Sequence, residues 1–165
     1  MLRNLLLHRN DAFQQVVERG PGSPFVLPVA LPQIDGIRAY YQANMDFLKP
    51  ENRRYFFKEE PMIYSKVDDY PPAKYNRGSD VSNSLISSGC IINGKIENSI
   101  LFKKVFVGSN CVIRNSIILN GVYIGDNTHI ENCIVESNGT LKSNTFYSSE
   151  EEIRVILEQN ERYIL

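Results

Sequence analysis

From Val81 onward the apolar residues of this chain come as short aliphatic runs set among Asn, Ser and Gly, and one six-residue phrase returns four times. Val81-Ser-Asn-Ser-Leu-Ile86 is followed by Ile96-Glu-Asn-Ser-Ile-Leu101, Ile113-Arg-Asn-Ser-Ile-Ile118 and Ile130-Glu-Asn-Cys-Ile-Val135. Their starts lie 15, 17 and 17 residues apart, and a second phrase, Val107-Gly-Ser-Asn and Ile124-Gly-Asp-Asn, recurs in phase at 17. A period of this length is three strands of about six residues wound into one triangular coil, the hexapeptide-repeat β-helix. Successive coils stack at the inter-strand spacing of about 4.8 Å. The aliphatic residue that opens each hexad points into the prism. Asn, Ser and Gly fall at the corners, where tight turns need a positive φ or a side chain bonded to backbone. One coil cannot bury its own apolar edge, so roughly four are expected to stack.

The rest of the chain has a different texture. Leu2 to Arg19 carries a loose helical stripe, broken by Gly20-Pro21-Gly22-Ser23-Pro24, and Phe25 to Leu31 reads as a short strand. A clearer helix starts at Asp35 as N-cap, places Ile37, Tyr40, Tyr41, Met45 and Leu48 on one face, and ends at Pro50. Glu51 to Lys58 suggests a further short helix, and Pro61, Pro71 and Pro72 impose an extended path up to Arg77. After the polar bend Asn138 to Asn144, Ser148 with Glu151, or Ser149 with Glu152, forms a capping box that opens a helix to Tyr163. Ile153, Ile156, Leu157 and Ile164 would be its apolar face. Such a helix either binds a partner or covers the open end of the β-helix, and the cap is favoured because a bare last coil exposes strand edges. The expected organisation is an N-terminal segment 1–34 of open fold, a helix and proline-containing linker 35–80, the β-helix 81–145 and a capping helix 146–165. The fold class is therefore mainly β, a parallel β-helix with flanking N-terminal and C-terminal α-helices.

Composition removes several functions. A net charge of −1 gives no bulk attraction to nucleic acid or anionic membrane, and no apolar run spans a bilayer. Leu5, Leu6 and Leu7 are too few for a secretory apolar region. Cys90, Cys111 and Cys133 lack C-x-x-C spacing and histidine neighbours, which suggests reduced, buried thiols in a cytosolic protein and no metal site. His8 lies outside the repeats. His129 falls within them and is the one candidate for a general base there. Lys66, Lys74, Arg77, Lys103, Lys104 and Arg114 concentrate basic charge in the linker and first coils, where charge and N–H donors would suit a phosphate.

Tyr40-Tyr41-Gln42-Ala43-Asn44-Met45-Asp46-Phe47-Leu48 resembles the Y-Y-x-A-N-M-D-L-L helix of the ADP-glucose pyrophosphorylases (glucose-1-phosphate adenylyltransferases). Pro71-Pro72-Ala73-Lys74-Tyr75 resembles their P-P-A-K-F linker. Ser84-Leu85-Ile86 through Gly89-Cys90-Ile91-Ile92-Asn93-Gly94, then Ser99-Ile100-Leu101-Phe102, Asn115-Ser116-Ile117-Ile118-Leu119 and Val122-Tyr123-Ile124-Gly125, continue the likeness. It covers residues 34 to 135 in order; Met1 to Leu31 and Glu150 to Leu165 do not share it. That family joins a nucleotidyltransferase domain to a C-terminal β-helix that serves assembly and allosteric control. The stretch here resembles only the second part. Gly20-Pro21-Gly22-Ser23 is no substitute for the family's G-x-G-T-R-L nucleotide loop, because Pro21 and the following Pro24 fix a turn and it does not open a helix. Gln33 stands where the family's D-V-G-T-I has its metal-holding acid, and a neutral amide is a poor Mg²⁺ ligand.

The resemblance implies a left-handed β-helix, as in hexapeptide proteins as a class. It also implies a non-catalytic regulatory and assembly domain of a glucose-1-phosphate adenylyltransferase-type protein in glycogen biosynthesis, cytoplasmic, with no cofactor of its own. The style of the repeats and the lost acid resemble the regulatory subunit found beside the catalytic one in many bacteria. Expected partners are that catalytic subunit or a second copy, with a sugar-phosphate effector at an anion site built from Lys74, Arg77, Lys103 and Arg114. The alternative is a hexapeptide acyltransferase, a trimer, with His129 as base.

Overall fold

A computed structural model describes residues 34–54, 68–149 and 152–157. Among the described residues the repeats form fifteen strands of two or three residues on three faces. The first face stacks β1 (Lys74–Tyr75), β4 (Ile91–Ile92), β7 (Phe106–Val107), β10 (Tyr123–Ile124) and β13 (Thr140–Leu141). The second stacks β2 (Asp80–Ser82), β5 (Lys95–Glu97), β8 (Val112–Arg114), β11 (His129–Glu131) and β14 (Phe146–Ser148). The third stacks β3 (Leu85–Ile86), β6 (Ile100–Leu101), β9 (Ile117–Ile118), β12 (Cys133–Val135) and β15 (Arg154–Ile156). All neighbours are parallel, so the described residues from Lys74 to Ile156 form a three-sided parallel solenoid of five rungs.

The register fixes which side chains fill the prism. Ile92, Val107, Ile124 and Leu141 form the inner column of the first face, Ile96, Ile113 and Ile130 that of the second, and Leu101, Ile118 and Val135 that of the third. Each is at most 1% exposed. Burying an aliphatic side chain of this size contributes about 2–3 kcal/mol, so these columns are the main source of stability. At the corner between the second and third faces, Asn83, Asn98, Asn115 and Asn132 adopt φ of 41 to 54°. Asn accepts this left-handed conformation better than other residues with a Cβ. The amides form a column: Asn83 Nδ2 donates to Asn98 Oδ1 at 2.8 Å, and Asn98 Nδ2 donates to Asn115 Oδ1 at 2.7 Å. The serine that follows works in parallel. Ser84, Ser99 and Ser116 Oγ each accept the backbone N–H one rung on, from Ser99, Ser116 and Cys133, at 3.1 Å. The Asn-Ser pair of the repeat is thus a corner joint that ties each rung to the next.

The departures from a uniform period also have their place in the corners. Four residues normally link the first face to the second, as in 108–111 and 125–128, but only Asn93 and Gly94 link β4 to β5. This short corner is the origin of the 15-residue spacing. It brings the Cys111 carbonyl within 2.6 Å of where a Cβ on Gly94 would lie, so no larger residue fits without a shift.

Several expectations change. The solenoid starts at Lys74, inside the proposed linker, and continues to Ile156, beyond 145. Among the described residues of the expected capping helix there is strand instead: β14 covers Phe146–Ser148, and Arg154–Ile156 pairs in parallel with Cys133–Val135. Edge-strand pairing along β12 outweighs the local helical propensity, because it satisfies a row of backbone groups that a helix end would leave to solvent. Helix α1 (Ile37–Met45) is as expected in place, but its N-cap is Gly36 with no side-chain bond, so Asp35 does not cap it. Ile37 is 44% exposed, and Ile34, just before the helix, packs against the solenoid. A 3₁₀ turn (Asp46–Leu48) ends the helix before Pro50, which opens α2 (Pro50–Arg54); proline suits a first helical turn because its missing N–H is not needed there. The expected Leu2–Arg19 helix, the Phe25–Leu31 strand, Gln33, Lys66 and the ends of the predicted Glu51–Lys58 and Ser149–Tyr163 helices lie outside the described residues. No helix among the described residues is long and apolar enough to cross a membrane.

Candidate functional site

With the interior committed to packing, chemistry is confined to the outward positions. On the third face even these are aliphatic: Leu85, Ile100, Ile117, Ile134 and Val155 share one column. Helix α1 lies over it. Tyr40 packs with Ile117, Leu119 and Ile134, joined by Tyr41 and Met45. Tyr41 Oη donates to the Asn115 carbonyl at 2.7 Å, and burial raises its pKa. Within the helix, Asn44 is buried and its Nδ2 donates to the Tyr40 carbonyl at 2.7 Å. In Ile117-Ile118 and Ile134-Val135 the aliphatic pair that ends the repeat therefore splits its work, one side chain inside the prism and one beneath the helix.

The four basic residues singled out from sequence do not converge. Lys74 is exposed on β1, and Arg77 is exposed in the corner that follows it, both on the first rung. Lys103 lies at the corner between the third and first faces, and its Nζ is 2.9 Å from Asp68 Oδ2. Beside it Lys104 rests over the Tyr70 ring, 4.2 Å from the centroid. Arg114 is on the second face, in register between Glu97 and Glu131, with Nε 3.3 Å from Glu97 Oε2. Carboxylates in those positions occupy Lys103 and Arg114 and oppose an incoming anion. Lys74 and Arg77 keep exposed charge on the first rung.

His129 is held on the second face, stacked on Phe146 at 4.6 Å between ring centroids, with Nε2 3.4 Å from Glu131 Oε2. That contact is longer than an ordinary hydrogen bond. The three thiols are buried and unpaired with one another. Burial raises the pKa of Cys90 and Cys111 and pushes that of Cys133 up to about 11, so they are held as neutral thiols and are poor nucleophiles. Their Sγ atoms meet backbone carbonyls, Cys90 on Phe102 and Cys111 on Gly125 at 3.0 Å. Among the described residues no group of three or more His, Cys, Asp or Glu is placed to hold a metal ion.

The first face is the feature that sequence reading missed. Its outward column runs Lys74, Ile91, Phe106, Tyr123, Thr140, with Phe106 and Tyr123 stacked at 4.8 Å and 5°. Ile91 is 38% exposed and the two rings are half-buried. The signal was the 17-residue spacing of Phe106 and Tyr123, each one position before an inner aliphatic residue.

Rung geometry, corner chemistry and repeat together define a hexapeptide-repeat domain, and residues 71–152 match the family described as GlmU-like, C-terminal hexapeptide. Among curated proteins the chain is similar to the glycogen biosynthesis protein GlgD of Bacillus subtilis, 43% identical over 75 residues, 46% of this chain and 22% of that protein. It is also 42% identical over 78 residues to the glucose-1-phosphate adenylyltransferase of Clostridium beijerinckii, covering 47% of this chain and 20% of the relative. The GlgD of Geobacillus stearothermophilus is 39% identical over 71 residues, 43% of this chain and 21% of the relative. The matches thus span about a fifth of the length of these relatives.

Proposed function

We propose that this chain serves as a regulatory and assembly domain of a glucose-1-phosphate adenylyltransferase-type protein in glycogen biosynthesis, acting in the cytoplasm. The observation that carries this reading is the 43% identity to GlgD, a protein named for glycogen biosynthesis. The domain turns nothing over itself; it associates with a catalytic subunit, or with a second copy, and alters that subunit's response. An anionic effector, a phosphorylated sugar, is taken at the first rung by Lys74 and Arg77, whose exposed charges are not spent on carboxylates of the described residues in the way those of Lys103 and Arg114 are.

The test is co-purification of this chain with the catalytic subunit of the same cell, followed by assay of that subunit. Stable association with a changed rate or effector response supports the reading. No association, and no change in rate, sinks it. Calorimetric titration with fructose 1,6-bisphosphate examines the effector part separately. Heat that disappears in Lys74→Ala or Arg77→Ala is expected, and the absence of heat from the unaltered chain removes the anion site.

A further inference from the structure

Helix α1 and the turn after it do not close down on the first two rungs. Between them and the Asn83 and Asn98 corners runs an open groove of about 480 Å³, within the usual range of small-molecule sites. Its polar lining comes from Tyr41, Gln42, Asp46, Lys49, Asn83 and Asn98. The charges in it cancel: Asp46 Oδ1 receives Lys49 Nζ at 2.8 Å and Gln42 Nε2 at 3.0 Å. An anion gains little there, because the lysine is already committed and a carboxylate stands beside it.

What remains open is neutral hydrogen-bonding capacity of both signs. The amide column runs in one direction, each Nδ2 donating to the next rung, so Asn83 Oδ1 stands at the head of the column and accepts nothing from the described residues. Each amide nitrogen has a second N–H beyond the one it uses in the column. Gln42 donates through Nε2 and keeps its carbonyl oxygen, and Tyr41 donates to Asn115 and keeps its lone pairs. Successive amides are one rung apart, about 4.8 Å, which presents donors and acceptors in a row. Met45 and Pro50 add apolar surface to the same groove. A ligand matching this lining must donate and accept along its length, carry no net charge and offer C–H faces as well as hydroxyls.

We propose that this groove binds a neutral polyhydroxylated ligand, an oligosaccharide by class, through the Asn83 and Asn98 amides, Gln42 and Asp46. The site is distinct from the Lys74 and Arg77 corner, and its fate does not decide that of the regulatory reading, which the co-purification assay addresses.

The experiment is an NMR titration of the full, ¹⁵N-labelled chain with maltotetraose, cellotetraose and myo-inositol, with inorganic phosphate as the charged comparison. At least one neutral probe is expected to shift the side-chain amide signals of Gln42, Asn83 and Asn98 saturably. Gln42→Ala and Asp46→Ala should each weaken that binding about fivefold, the loss of one ordinary hydrogen bond, and Gln42→Ala, at an exposed position of α1, should leave the melting curve in place. The proposal is overturned if none of the three neutral probes moves these amides. It is equally overturned if phosphate alone moves them, or if both variants bind as the unaltered chain does.

Discussion

The first and third faces of the solenoid share an inner column of the same kind and differ in everything outside it. On the third face the outward residues Ile117 and Ile134 are 0% and 5% exposed under helix α1, whereas on the first face Ile91 is 38% exposed and stacked rings stand at the next two rungs. The inner columns would build the same prism with either exterior. The outer column alone therefore decides whether a face receives the chain's own helix or is left to other uses. Aromatic residues suit the second case, because a stacked pair holds a rigid apolar surface together while tolerating solvent at its edges.

The strongest test of this contrast is Ile117→Ala. It should cost about 3 kcal/mol in chemical denaturation, as for a large-to-small change in a core, and should speed hydrogen exchange throughout α1. If α1 exchanges no faster, the helix is not held by that column. Asn98→Ala should cost about 2 kcal/mol, combining the strain of a Cβ residue at positive φ with the loss of the amide column. Tyr41→Phe, which removes only the bond to Asn115, should cost about 1 kcal/mol and affect α1 more than the prism. Tyr123→Ala should cost less, roughly 0.5–1 kcal/mol for the lost ring pair; a cost equal to that of Ile117→Ala would erase the distinction between the two faces. The smallest effect is alkaline. Cys133 has its pKa pushed up to about 11 from an ordinary 9.0 by burial, so the unfolded chain releases that proton first. Stability from this group is intact below pH 9 and is lost as pH rises from 9 to 11. Melting temperatures across that window should fall less steeply in Cys133→Ala.

Much of this was readable in the residues. The recurring aliphatic at Val81, Ile96, Ile113 and Ile130 marked the inner column of the second face, and the Asn of each repeat marked a corner. The last strand was not readable because the period fails there. Ser148 follows Glu131 by 17 residues, but Arg154 follows Cys133 by 21, since five residues, 149–153, separate β14 from β15. Without the period, the Glu-rich local sequence reads as helix, and only pairing with β12 settles it. The basic residues fall in different places for a related reason. Their closeness in sequence says nothing of which corner or face each occupies, and in a solenoid a shift of a few residues turns a side chain to another side. The groove beside α1 had no signature at all, since it depends on how far the helix stands from the Asn83 and Asn98 corners.

Two residues in place of four link β4 to β5, and five residues separate β14 from β15, yet the ladders on all three faces stay in register. Sequence length is thereby uncoupled from axial length. From the rung of Lys74 to that of Thr140 the solenoid takes four steps, about 19 Å at the spacing of paired strands. Loops at the corners can grow or shrink without altering that distance. The domain is in this sense a spacer of set length, able to hold whatever meets its two ends at a constant separation while its sides are rewritten.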